Sequence, residues 1–119
     1  MDSRKTPDTS PSEVGKITYY AHVQNPSSPS LRKKRVFLTV VSNDDQETLA
    51  RQGLAFLRQC RIRRLCQEAR EQGTLLAYED LVHLLLTSMS TLKRDLRLLK
   101  REGLAVEIYR KKQRLKRGN

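Results

Sequence analysis

Two helical leucine patterns with a three-residue break between their helices restrict this chain more than any other feature. Leu81, Leu84 and Leu85 fall at i, i+3 and i+4, and Leu92, Leu96 and Leu99 fall at i, i+4 and i+7. Each set lines one side of a helix. Only Leu86, Thr87 and Ser88 stand between the two helices, the second starting at 89. Helices joined by so short a turn cross at a steep angle and share one core. Glu79 and Asp80 place negative charge in the first turn of the first helix, where the backbone dipole favours it. Ser88 is positioned to cap the second helix by accepting a backbone N–H from Ser90 or Thr91. Gly103 closes that helix as a glycine beyond its C-terminus does. The pair is therefore expected over residues 77–101, with its second helix over 89–101.

The upstream half reads as strands followed by helix. Residues 15–23, GKITYYAHV, alternate Ile17, Tyr19 and Ala21 against Thr18, Tyr20 and His22, the period of a strand. Residues 25–30, NPSSPS, form a loop. A basic run, RKKR, then leads into VFLTVV at 36–41, a second strand able to pair antiparallel with the first. Asp44, Asp45 and Glu47 suit the start of a helix near Asp45, and Gly53 breaks or kinks it. A stronger helix follows to about Gln72, with Ile62, Leu65, Cys66 and Ala69 as its buried stripe and Gly73 as its stop. Arg58, Arg61, Arg63 and Arg64 crowd this helix, and most are expected to face solvent.

The charge balance narrows the function classes. The chain carries 24 Lys+Arg against 13 Asp+Glu, a net charge of +11. Such a surface attracts polyanions at long range. Between residues 93 and 117 there are 11 basic and three acidic residues, so the charge concentrates in and after the second helix. At 100° per residue, the side opposite Leu92, Leu96 and Leu99 carries Ser90, Arg94, Arg97 and Arg101, flanked by Lys93 and Thr91. Arg bonds bidentately to guanine O6 and N7, and Lys and hydroxyl groups reach phosphates. The plain alternative is a solvated basic face. Leu98 lies off the apolar stripe and is available as a contact for a partner or the following strand.

The remaining candidates for chemistry are weaker. Cys60 and Cys66 fit neither a zinc-ligand spacing nor a disulfide framework and read as reduced side chains on a helix. His22 and His83 stand alone, and a packed or half-exposed structural role suits His83 better than that of a ligand or base. Tyr19, Tyr20, Phe37 and Phe56 could stack bases, although a place in the strand core or at its edge is the simpler reading. No nucleophile–His pair, paired-carboxylate signature or phosphate-binding Gly-rich loop is present, so an enzyme is not expected and no cofactor or metal is implied. There is neither a secretory signal pattern nor a run of about 20 apolar residues, which points to a cytoplasmic, nucleoid-associated protein with no membrane partner.

The segment TLKRDLRLLKREGL (91–104) resembles the recognition helix of many prokaryotic regulators. Together with RIRRLCQEAREQGTLLAYEDL (61–81), GKITYYAHV and VFLTVV, it makes residues 15–106 resemble the prokaryotic family catalogued as domain of unknown function family 1670. The resemblance implies a helix-turn-helix DNA-binding regulator and no particular target. Two departures stand out. Leu86 occupies a turn position where such motifs usually carry Gly. Members of that family usually continue into a longer C-terminal half, so this chain reads as a short or truncated member with only one short strand, 104–109, available for a wing.

The expected fold is α+β, mainly α: an N-terminal two-stranded β-hairpin followed by a helical, winged helix-turn-helix-like domain. The expected organisation is a disordered tail at 1–14, the hairpin at 15–41, the helix-turn-helix domain at 44–109 and a basic tail at 110–119. The expected function is transcriptional regulation through double-stranded DNA, with a homodimer suited to paired half-sites. Ser90, Arg94 and Arg97 would read bases. Ser88, Thr91, Lys93, Arg101, Arg110, Lys111, Lys112 and Arg114 would hold phosphates. The rival expectations are an RNA-binding accessory module and a protein-interaction module or inactive remnant.

Overall fold

The computed structural model describes residues 15–24, 32–104 and 106–110. The tail expected at 1–14, Lys111, Lys112, Arg114 and the rest of the basic tail beyond Arg110 lie outside the described residues. In chain order the elements are β1 (Lys16–Val23), β2 (Lys33–Thr39), α1 (Asp45–Gln52), α2 (Leu54–Glu71), β3 (Thr74–Leu75), α3 (Tyr78–Leu85) and α4 (Met89–Arg101). Among the described residues the fold is α+β, with four helices and one antiparallel sheet in the order β2-β1-β3.

The two-stranded hairpin expected from the sequence is corrected to a three-stranded sheet. β1 is the central strand, because Thr74 and Leu75 pair with Val23 and His22 on its other edge. β2 also starts earlier than expected and takes in Lys33, Lys34 and Arg35. Edge strands tolerate such charge because one side faces water, and charge there discourages pairing with another chain. Near its end the outer edge of β2 is covered by side chains. The Gln72 amide exchanges hydrogen bonds with the Phe37 N–H and C=O at 2.9 and 2.8 Å, and Glu68 accepts the Thr39 N–H at 2.7 Å. The expected strand at 104–109 is also corrected. Among its described residues that segment makes one parallel bridge, Ala77 with Tyr109, through the Tyr109 N–H to the Leu76 carbonyl at 2.8 Å.

Gly53 separates α1 from α2 completely. Its φ of 93° is a conformation that L side chains rarely adopt, so the chain turns there and restarts. α2 is the central support of the fold, packed against the sheet, α3 and α4. The expected stripe, Ile62, Leu65, Cys66 and Ala69, is buried with Ala21, Val36 and Leu38 of the sheet and with Leu76, Leu81, Leu92 and Leu99. Burial pushes the Cys66 thiol up to about 12, so it stays protonated.

The arginines of α2 do not mostly face solvent as expected. Arg63 is exposed, but Arg58, Arg61 and Arg64 are largely covered and hold buried carboxylates. Arg61 and Arg64 converge on Asp45, bonding its two oxygens at 3.0 and 3.2 Å, and Ser42 adds its N–H and hydroxyl. Arg64 also donates to the Thr39 carbonyl at 3.0 Å, so one cluster ties the end of β2, the start of α1 and the middle of α2. Burial alone would raise the Asp45 pKa. The Arg64 bond, the Ser42 N–H and the Arg61 bond outweigh it and hold the carboxyl at about 2. Because the folded value lies below that of the unfolded chain, Asp45 stabilises fully above about pH 4, and the contribution is lost as the pH falls through about 2. The melting temperature should drop across that window. An Asp45→Asn variant, melted by circular dichroism at the same pH values, should start lower and drop less, whereas parallel curves would show that Asp45 is not the group responsible.

Candidate nucleic-acid interface

α3 and α4 are joined by residues 86–88, and the start of α3 is tied to the sheet. Asp80 accepts the Ala77 N–H at 2.8 Å and the Tyr19 hydroxyl at 2.6 Å, and lies 3.8 Å from His22 Nε2. Burial and the Asp80 bond both raise the Tyr19 pKa. Burial lowers that of His22, with Asp80 pulling the other way. The His22 ring stacks on Tyr109, with centroids 3.8 Å apart. His22 is therefore a packed residue of the sheet, whereas His83 is exposed on α3.

The turn carries its strain at Leu86. This residue has φ 54° and ψ 50°, the left-handed conformation that glycine adopts most easily, and it is 89% exposed. A non-Gly residue in that region costs about 1–2 kcal/mol. Leu86→Gly removes that strain and gives up little buried surface. It should raise the melting temperature by about 5 °C. A lower melting temperature would show that Leu86 is held by contacts worth more than the strain.

Ser88 then begins α4 as expected: its hydroxyl accepts the Thr91 N–H at 3.1 Å. The helix ends at Arg101, and Gly103 follows at φ 80° with its N–H on the Lys100 carbonyl, the residue type this turn favours. Leu92 and Leu99 are buried and Leu96 is half-buried. Ser90, Arg94, Arg97 and Arg101 are all exposed, with Lys93 and Lys100 exposed beside them. Thr91 is half-buried behind the cap, and Leu98 is half-buried as well. The structure thus brings Ser90, Arg94, Arg97 and Arg101 onto one surface. Ser88 stands at its start with its hydroxyl engaged in the cap.

The acidic residue of α4, Asp95, is turned away from that surface. It is 1% exposed and accepts from Arg58 Nε and, at 3.2 Å, Nη2, with the Gln59 amide at 3.4 Å. No negative side chain of α4 therefore opposes the basic face. Sequence reasoning missed this pair, although a signal was present. Asp95 lies three residues after Leu92 and four before Leu99, which places it on the apolar stripe.

A pocket of about 410 Å³ runs along α4 beside residues 106–110. Leu96, Val106 and Ile108 supply its apolar part, and Lys93, Arg97, Lys100 and Arg110 supply the charge. Arg110 reaches the Tyr78 hydroxyl at 3.2 Å and lies over the Tyr78 ring, which brings this cation to the same side as α4. Among the described residues there is no group of three or more His, Cys, Asp or Glu able to hold a metal ion. No helix among them is long and apolar enough to cross a membrane.

Residues 4–114 match the family described as "Protein of unknown function (DUF1670)". The chain belongs to this family. The match covers the sheet, all four helices and the basic face of α4 together, so these elements belong to one family unit. No curated protein and no solved structure matches the chain.

Proposed function

We propose that this protein binds double-stranded DNA as a transcriptional regulator, with α3 and α4 as a helix-turn-helix and α4 as the helix that enters the major groove. One observation carries this reading. α4 exposes Ser90, Arg94, Arg97 and Arg101 on one face while its carboxylate is buried on the other. An α-helix fits the major groove, and Arg on its exposed side can pair with guanine O6 and N7. Ser90, Arg94 and Arg97 take the base-reading role. Thr91, Lys93, Arg101 and Arg110 take phosphates, as do Lys111, Lys112 and Arg114, and Ser88 orients the first turn toward the backbone. In this reading the protein is resident on the nucleoid, and a homodimer would set two such helices in successive grooves.

The reading is tested by duplex DNA binding across a salt series. Affinity should fall steeply as salt rises, because each neutralised phosphate releases counterions, and Lys93→Ala should make the slope shallower by about one unit. Binding that is absent at low salt would reject the reading.

A further inference from the structure

We infer that the outer face of the sheet is a second nucleic-acid surface, one that binds single-stranded chains by stacking bases on Tyr20 and Phe37. The register sets Tyr20 opposite Arg35 and Thr18 opposite Phe37, so these four side chains share one face. Tyr20 and Phe37 are diagonal neighbours across the two strands, about 7–8 Å apart in such a pair, within reach of neighbouring bases on an extended strand. Tyr20 is 60% exposed and Phe37 is 58% exposed. Two large aromatics side by side in water on a folded sheet lose the burial that would otherwise explain them.

Charge selects the occupant. Lys16, Lys33 and Arg35 stand on the same face, and neither β1 nor β2 contains an Asp or Glu. The Arg35 guanidinium lies 5.9 Å from the Phe37 ring centre, ready to pair with a phosphate as a base takes its place on the ring. Aromatics for base planes beside cations for the backbone are what unpaired nucleic acid requires. Duplex DNA presents no exposed base planes and gains nothing from the two rings. The sheet face and the basic face of α4 share no residue, so each can be altered alone.

The experiment uses the full chain with fluorescein-labelled oligouridine and oligothymidine of about 8 nucleotides and, separately, a labelled duplex. The Tyr20→Ala/Phe37→Ala double variant should lose about tenfold or more in affinity for the single strands and keep its duplex affinity within about twofold. Tyr20→Phe should bind as the parent does, since the ring remains. The chain has no Trp, so Phe37→Trp gives a single reporter whose fluorescence should be quenched by the oligonucleotides and not by the duplex. Binding of both oligonucleotides supports a surface indifferent to the sugar, and binding of oligouridine alone supports one for RNA. Single-strand affinity unchanged in the double variant would overturn the proposal. So would a parent chain that ignores both oligonucleotides while the double variant shifts its sedimentation, since the face would then join two copies of the chain.

Discussion

Asp95→Ala is expected to lower the free energy of unfolding by about 3–5 kcal/mol, because it leaves the Arg58 guanidinium covered by protein and without its charge partner. The Arg58 side chain is 14% exposed and that of Asp95 is 1% exposed. This is a large share of a stability of about 5–15 kcal/mol for a small domain. The urea midpoint would report it directly. Removing both charges is a different matter. Replacing the pair with Arg58→Met and Asp95→Leu exchanges two desolvated ions for apolar contact and should cost little or stabilise. The pair also orients α4, since Arg58 and Gln59 of α2 grip it from beneath. Arg58→Ala should therefore weaken duplex binding although it touches no residue of the basic face. A loss below about 1 kcal/mol for Asp95→Ala would mean that the pair is effectively at the solvent surface.

Arg94→Ala and Arg97→Ala are expected to cost about 1–3 kcal/mol each in discrimination between sites, the usual value of a bidentate contact to guanine. Both side chains are exposed and make no hydrogen bond or ion pair within the described residues, so folding should be unaffected. Affinity for unrelated duplexes should change far less than affinity for the preferred site. Lys112→Ala should show the opposite pattern, a modest and even loss across sequences, because a phosphate contact carries no base information. An Arg94→Ala variant that lowers all affinities equally would move Arg94 from the bases to the backbone.

The sequence made α4 legible because independent local signals agreed there. The leucine repeat, the Ser88 cap and the closing Gly103 all place the helix at 89–101, where it is found. β1 was legible for the same reason, through its alternation. What escaped the sequence depended on distant partners. The arginines of α2 look like a solvated face until Asp45 and Asp95 fold against them, and Asp95 is 37 residues from Arg58 in the chain. β3 has two residues, too few for alternation to register. Its pairing with β1 is a tertiary event and turns the expected hairpin into a three-stranded sheet. The exposure of Phe37 was equally hidden, because it stands in an unbroken apolar run where an aromatic residue is ordinarily counted toward the core, whereas Tyr20 already stood beside Thr18 on the polar side of the β1 alternation.

The most direct test of the account is selection from a random duplex library by the purified chain and by Arg94→Ala in parallel. The account predicts a defined motif enriched by the parent chain, with guanine at one or more positions, and loss of preference at such a position in the variant. No enrichment by the parent chain, or the same motif recovered with equal strength by both, would contradict the placing of α4 in the major groove.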